Sequence, residues 1–283
     1  MSGEMRLISK AGKTFYFATL WLEKRIRYDA ALAYNFCRTV DDIADGTLSA
    51  LERDRQLKEI EQALVNGDTS HTLISPLAPL ITRYPSIRDP LAALVEACRA
   101  DGPSLCIRNE DDLERYGFGV AGNVGLVMYP ILGGHLEAGR SYAADLGIAM
   151  QYTNIARDIL EDITRDRVYL PSSWLEERDI RELLDETSSS EHLLVEAVRR
   201  LLRHADEKYA RGLSGIEYLA PANRFAIRVA ARCYAAIGER VICNGRLLRE
   251  RAIVPLSHKL MLAGSMALFG RRKFEYETNE CQT

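Results

Sequence analysis

Asp41 and Asp45 stand four residues apart, as do Asp158 and Asp162, and an arginine precedes each pair, Arg38 and Arg157. Residues four apart on a helix share a face, roughly 5–6 Å from each other. Two like charges so placed destabilise an isolated helix by about 0.2–0.5 kcal/mol. A hard divalent cation with oxygen ligands would offset that repulsion. Mg²⁺ takes one or two carboxylates from a protein and completes its shell with water and substrate phosphate oxygens. Two such pairs, far apart in sequence, suggest one cavity with two acidic walls that clamps a diphosphate through magnesium.

A lone acidic pair on a helix is ordinarily a solvated face; the surroundings argue otherwise here. The first pair lies in Tyr34-Asn-Phe-Cys-Arg-Thr-Val-Asp-Asp-Ile-Ala-Asp45, where apolar and aromatic residues flank the acids. In the second, Gln151, Asn154, Asp158 and Asp162 follow steps of three and four along one stripe. A stripe of amide and carboxylate oxygens in an otherwise apolar segment makes sense as the lining of a cavity.

The elements that must carry these residues are helices. Tyr28 to Asp45 has a helical apolar period and no proline interrupts the first 75 residues. Arg115 to Leu136, Ser141 to Thr164, Glu191 to Tyr209 and Phe225 to Leu248 read as further long helices. Prolines break Leu77 to Pro90 into a connection, Tyr169-Leu170-Pro171 reads as a stop or turn, and Ser188 to Ser190 as a short loop. No run alternates apolar and polar residues, so the expectation is an all-α chain forming one domain over 1–283.

Composition narrows the function. Of 283 residues 47% are hydrophobic, enough for a large core, and the net charge of −3 gives no reason to expect nucleic-acid binding. Six cysteines include no C-x-x-C pair and no regular spacing, and Met1 to Lys13 is too polar for a signal peptide. Free thiols and a cytoplasmic location, with peripheral contact at a membrane, are the expectation. The five histidines form neither an E-x-x-H nor an H-E-x-x-H pattern.

Two local patterns mislead. Gly117-Phe-Gly-Val-Ala-Gly122 matches G-x-G-x-x-G, yet a charged helical segment, Asn109 to Tyr116, precedes it where a dinucleotide fold needs a strand. Tyr116 to Leu136 carries no Asp, Glu, Lys or Arg, but its six glycines, Asn123, Pro130 and His135 favour a buried helix kinked near Pro130 over a membrane span. Gly119, Gly122 and Gly125 leave a stripe without side chains. It serves either close helix packing or a long apolar substrate, and the residues alone do not choose. Leu260 to Gly270, between His258-Lys259 and Arg271-Arg272-Lys273, is too short to span a bilayer; it reads as a last core helix or a membrane-surface contact.

Taken together, four segments resemble the squalene/phytoene synthase family, the head-to-head prenyl synthases, over nearly the whole chain. They are Lys13-Thr-Phe-Tyr-Phe17, Tyr34 to Asp45, Tyr116 to Gly125 and Gln151 to Pro171, in the family's order. The resemblance is greatest to bacterial-type phytoene synthases. It implies an all-α isoprenoid-synthase bundle around a central cavity, and Mg²⁺-dependent condensation of two allylic prenyl diphosphates, with Mn²⁺ as a substitute. By position, Asp41, Asp45, Asp158, Asp162 and Asn154 would hold the metal. Arg38, Arg157, Arg251 and Lys13 would meet diphosphate oxygens. Thr14, Phe15, Tyr34, Tyr116, Val120, Gly125, Gln151 and Tyr234 would line the cavity near the reacting carbons. The aromatic faces of Phe15, Tyr34, Tyr116 and Tyr234 would stabilise a carbocation.

Gly12 and Thr14 stand where the family has serines, and Asn123 where Thr or Ala is usual, which leaves the local cavity shape open. The expected product is phytoene from two geranylgeranyl diphosphates, because no long carboxy-terminal anchor and no nicotinamide (NADPH) site are recognised. Farnesyl-using relatives that make presqualene diphosphate, hydroxysqualene or dehydrosqualene are the first alternative. A terpene cyclase or chain-elongating synthase would carry D-D-x-x-D or N-S-E/D-T-E patterns instead. A non-catalytic assembly factor on the same fold could dispense with the acids that this chain keeps. Oligomeric state is not legible.

Overall fold

In the computed structural model the described residues are 13–102, 105–175, 191–243 and 252–269, and among them there are helices and turns but no strand. Arg251, Gly12, Ser188 to Ser190, the basic residues 271–273 and the side chain of Lys13 lie outside the described set.

The chain begins with α1 (Lys13–Thr19) and α2 (Lys24–Asp45), then α3 (Ala50–Asn66). Helix α3 starts where the Ser49 hydroxyl accepts the Glu52 N–H at 3.3 Å and stops at Gly67, whose φ of 67° is left-handed. The proline-rich connection contains α4 (Ala78–Arg83) and leads into α5 (Arg88–Ala100). Helix α6 (Glu110–Gly117) is capped by Asn109, which accepts the Asp112 N–H at 2.9 Å, and carries three acids in its first turn. A π turn, Phe118–Gly122, joins it to α7 (Asn123–Ile131). After it come α8 (Arg140–Thr164), α9 (Glu191–Ser214), α10 (Pro221–Cys243) and α11 (Leu256–Phe269).

Two buried apolar clusters organise the packing. One is built on α8, α9 and α10, around Ile155, Val198, Leu201 and Tyr209. The other is built on α2, α3, α5 and α7, around Phe36, Leu57, Leu94 and Val127. Helix α2 packs on α7, α5 and α3, whereas α8 packs on α9, α7, α10 and the π turn. The two acid-bearing helices are thus not each other's main packing partners, and a cavity lies between the clusters.

The single helix expected over Arg115 to Leu136 is corrected. The chain there is α6, the π turn and α7, and Pro130 sits in the last turn of α7 rather than at a mid-helix kink. A π turn takes one extra residue and leaves a carbonyl short of its partner. Asn123 supplies one, donating from Nδ2 to the Gly119 carbonyl at 2.9 Å. This explains the unusual Asn123: it is buried against the backbone and is not among the residues that line the cavity.

The glycine stripe also resolves. A Cβ on Gly125 would stand 2.1 Å from the Ala143 carbonyl oxygen of α8, and one on Gly147 2.1 Å from that of Ala121. Close helix approach is therefore the role of Gly125, although it also forms part of the cavity wall.

No described helix is long and apolar enough to cross a membrane. The last helix starts earlier than expected, at Leu256, and is only half core: Leu262 and Ala263 are buried while Leu256, Leu260 and Met261 are exposed, as is Ile253 just before it. Cys37, Cys98, Cys106 and Cys233 are free thiols.

Candidate active site

Helix geometry sets the frame. The cavity, about 260 Å³, is lined along α2 by Ala30, Tyr34, Cys37, Arg38, Asp41 and Ala44, and along α8 from Tyr142 to Asn154. Tyr142 to Asn154 covers about 18 Å at ~1.5 Å per residue. Both helices run toward their acids, so Asp45, Asp158 and Asp162 follow on the turns beyond the lined stretch. The far end is lined by Tyr129, Leu132, Gly139 and Leu219. An apolar tunnel with acids at one end is what the two sequence stripes require.

Most of the expected site residues meet there. Phe15, Tyr34, Arg38, Asp41, Tyr116, Val120, Gly125, Gln151, Asn154 and Tyr234 all contribute to the wall. Phe15 stacks on Tyr34 with ring centroids 4.1 Å apart. Thr14 is set back from the wall, and its hydroxyl accepts from Lys259 at 2.9 Å.

The charged groups form a linked set. Arg38 pairs with Asp41 at 2.9 Å and with Asp42 at 3.0 Å, all on α2. Arg157 grips Asp158 with two N–H groups, one at 2.8 Å. Arg167 joins the two halves: its guanidinium pairs with Asp45, while its backbone N–H donates to the Asp162 carbonyl at 2.9 Å.

Burial, and next the negative charge of Asp45, push the Asp41 carboxyl up to about 6. Burial, then Asp158 and Asp45, push Asp162 up to about 7. Asp45 acting on both shows that the two pairs feel one another across the cavity end.

Whether these groups suit a metal can be tested on Asn154. Its Oδ1 is buried and has no hydrogen-bond partner among the described residues, although an oxygen so placed loses about 1–3 kcal/mol of solvation. An orphan oxygen on the same stripe as Asp158 and Asp162 fits a hard cation. Among the described residues no three acids, histidines or cysteines already converge on one point. The donor set therefore suits an ion shared with water and a phosphate rather than a closed protein cage.

Several residues of this region were missed from sequence. Asp101 lines the cavity and is buried, and both Tyr116 and Tyr169 donate to it. Arg167 and Tyr169 lie within the Gln151 to Pro171 segment, whose spacing assigns neither a role. Lys259, a flanking charge in the sequence, is buried.

The chain is similar to proteins of known kind. Residues 8–258 match the squalene/phytoene synthase family. The chain belongs to that family. It is 31% identical to the 15-cis-phytoene synthase of Paracoccus sp. (strain N81106 / MBIC 01143), over 91% of this chain and 87% of that one. It is 30% identical to the phytoene synthase of Mycobacterium tuberculosis (strain ATCC 25618 / H37Rv), over 93% and 84%. A dehydrosqualene synthase crystallised with a ligand superposes with a TM-score of 0.77 at 25% identity, covering 93% of this chain and 94% of the other. This member of the squalene/phytoene synthase family is a prenyltransferase, of the class that joins prenyl diphosphates head to head.

Proposed function

We propose that the protein condenses two geranylgeranyl diphosphates into phytoene through a cyclopropyl diphosphate, with Mg²⁺. The observation that carries this reading is the tunnel itself: an apolar bore along two helices that ends at paired aspartates and two arginines. The C20 choice rests on the likeness to phytoene synthases over about nine-tenths of the chain.

The difficult step is cleavage of an allylic C–O bond, which leaves negative charge on the departing diphosphate. Arg38 and Arg157 lie where guanidinium donors could take up that charge, and a planar fork matches phosphate geometry better than a lysine does. Asp41, Asp45, Asn154, Asp158 and Asp162 would hold magnesium, which supplies Lewis-acid charge to the leaving group when bound. The carbocation must be kept from water, which the apolar wall does. The faces of Phe15, Tyr34, Tyr116 and Tyr234 offer roughly 0.5–2 kcal/mol each to a cation placed over them.

A farnesyl-using reaction with a dehydrosqualene-type product is the second reading, favoured by the likeness to a dehydrosqualene synthase. Incubating purified protein with geranylgeranyl or farnesyl diphosphate and Mg²⁺, with and without NADPH, and identifying the product by mass spectrometry separates them. Phytoene from the C20 substrate is expected. A C30 product alone would establish the second reading, and no condensation from either would end both.

Substrate and product are greasy, and we infer that the enzyme works at a membrane surface through the outer side of α11. Leu256, Leu260 and Met261 there, and Ile253 just before the helix, are each more than half exposed, and the basic triplet Arg271-Arg272-Lys273 follows in sequence.

A further inference from the structure

Among the described residues Asp101 is the one carboxylate in the cavity wall that belongs to neither acidic pair. It follows the last turn of α5, its N–H closing onto the Ala97 carbonyl at 3.0 Å, and it is 8% exposed. Among the described residues no arginine or lysine forms an ion pair with it; Arg167, whose charge acts on it, is paired with Asp45. A buried anion without a cation is costly, so its neutral partners matter. Two phenols supply the hydrogen bonds. Tyr116 Oη donates to Oδ2 at 3.1 Å, and Tyr169 Oη to the same oxygen at 3.0 Å. The two rings stack with centroids 4.8 Å apart.

The two tyrosines differ in one respect. Tyr116 is part of the cavity wall and Tyr169 is not. A carboxylate and a phenol that donates to it therefore face the reaction space together, in reach of the acidic end, since the charge of Asp101 is felt at Asp41. Donating its hydrogen to Asp101 raises the negative character of the Tyr116 oxygen.

We propose that Asp101 positions Tyr116 and takes up its hydroxyl proton in the step that ends the reaction. This rests on the head-to-head reading above. In that step a C–H bond beside the final carbocation breaks. Its electron pair becomes the second bond of a new C=C, and the proton passes to Tyr116 Oη. The hydroxyl proton of Tyr116 moves at the same time to Asp101 Oδ2. Cation and carboxylate become alkene and carboxylic acid, with no oxidant or reductant consumed, and the proton leaves to water after product release. Burial, and next the charge of Asp101, keep the Tyr116 phenol protonated at rest, and burial raises Asp101 above an ordinary carboxylate. Both directions suit a relay in which the phenol never carries a free negative charge. Tyr116 would be the catalytic residue and Asp101 a positioning residue acting through it.

The test uses full-length protein with prenyl diphosphate and Mg²⁺, measuring the cyclopropyl diphosphate and the hydrocarbon separately. Asp101→Asn and Tyr116→Phe should each lower the ratio of hydrocarbon to cyclopropyl diphosphate, a ratio that a general loss of binding leaves unchanged. Hydrocarbon should fall by about 10²-fold or more in each, with a water-quenched alcohol in its place. The double variant should be no worse than either single one, Asp101→Glu should restore part of the hydrocarbon, and Tyr169→Phe should stay close to wild type. Hydrocarbon at the wild-type rate in Asp101→Asn would overturn the proposal and leave the released diphosphate as acceptor. Equal loss of both products would also overturn it, because a structural or charge role predicts that pattern. Wild-type protein that makes neither product would instead refute the head-to-head reading itself.

Discussion

Removing one carboxylate from either wall tests the paired acids directly. Asp41→Ala or Asp158→Ala is expected to lower turnover by at least about 10²–10³-fold, the usual cost of deleting one charge-stabilising group. Far-UV circular dichroism should remain helical. The pairs also imply a pH dependence. Asp41 near 6 and Asp162 near 7 lie above ordinary carboxylates, so the folded state holds more protons than the unfolded one between about pH 4 and pH 7. Their contribution is therefore most favourable in acid and is lost as pH rises through that window. The Tm of metal-free protein should fall between pH 5 and pH 8 more steeply than that of Asp162→Asn, read by thermal melts. These acids were legible because one helical face carries both members of a pair. Asp101 was not, because its partners lie 15 and 68 residues away in sequence and no local spacing announces them.

Among the elements, α7 and α8 depend on backbone contact at glycine. Gly125→Ala or Gly147→Ala forces a methyl group onto a carbonyl oxygen and should cost about 1–3 kcal/mol or more, seen as a lower Tm. Gly264→Ala in α11, where a Cβ would meet nothing within 4 Å, should instead be neutral or stabilise by up to about 1 kcal/mol. The sequence period located α2, α8, α9 and α10 within a few residues. It failed at the π turn, because in a run where nearly every residue is apolar an extra residue per turn leaves no phase error to see. It could not choose between packing and substrate room for the glycines either, since that depends on Ala143 and Ala121 across the interface.

At the scale of the molecule, the two halves meet at the acidic end through Arg167 and separate along the tunnel. The exposed side of α11 gives the surface a direction. The protein should sediment with anionic liposomes, and Leu260→Glu with Met261→Glu, or neutral replacements at 271–273, should abolish this without changing turnover of detergent-dispersed substrate. Failure of the intact protein to bind vesicles would remove the membrane reading and leave the chemistry untouched. The bundle and its cavity followed from the motifs. The bore's far end did not, because it is assembled from Tyr129, Leu132, Gly139 and Leu219, which sit on different elements.

Cys37 and Cys98 both sit in the tunnel wall, and burial pushes the Cys37 thiol up to about 12 and Cys98 further. Neither ionises near neutrality, so water-borne alkylators should scarcely touch them. A lipophilic organomercurial, whose soft metal displaces the thiol proton, would meet both sulfurs on entering the bore and so report its occupancy. Labelling that slows when a non-hydrolysable prenyl analogue is added would then measure ligand affinity without any turnover, in active enzyme and dead variants alike.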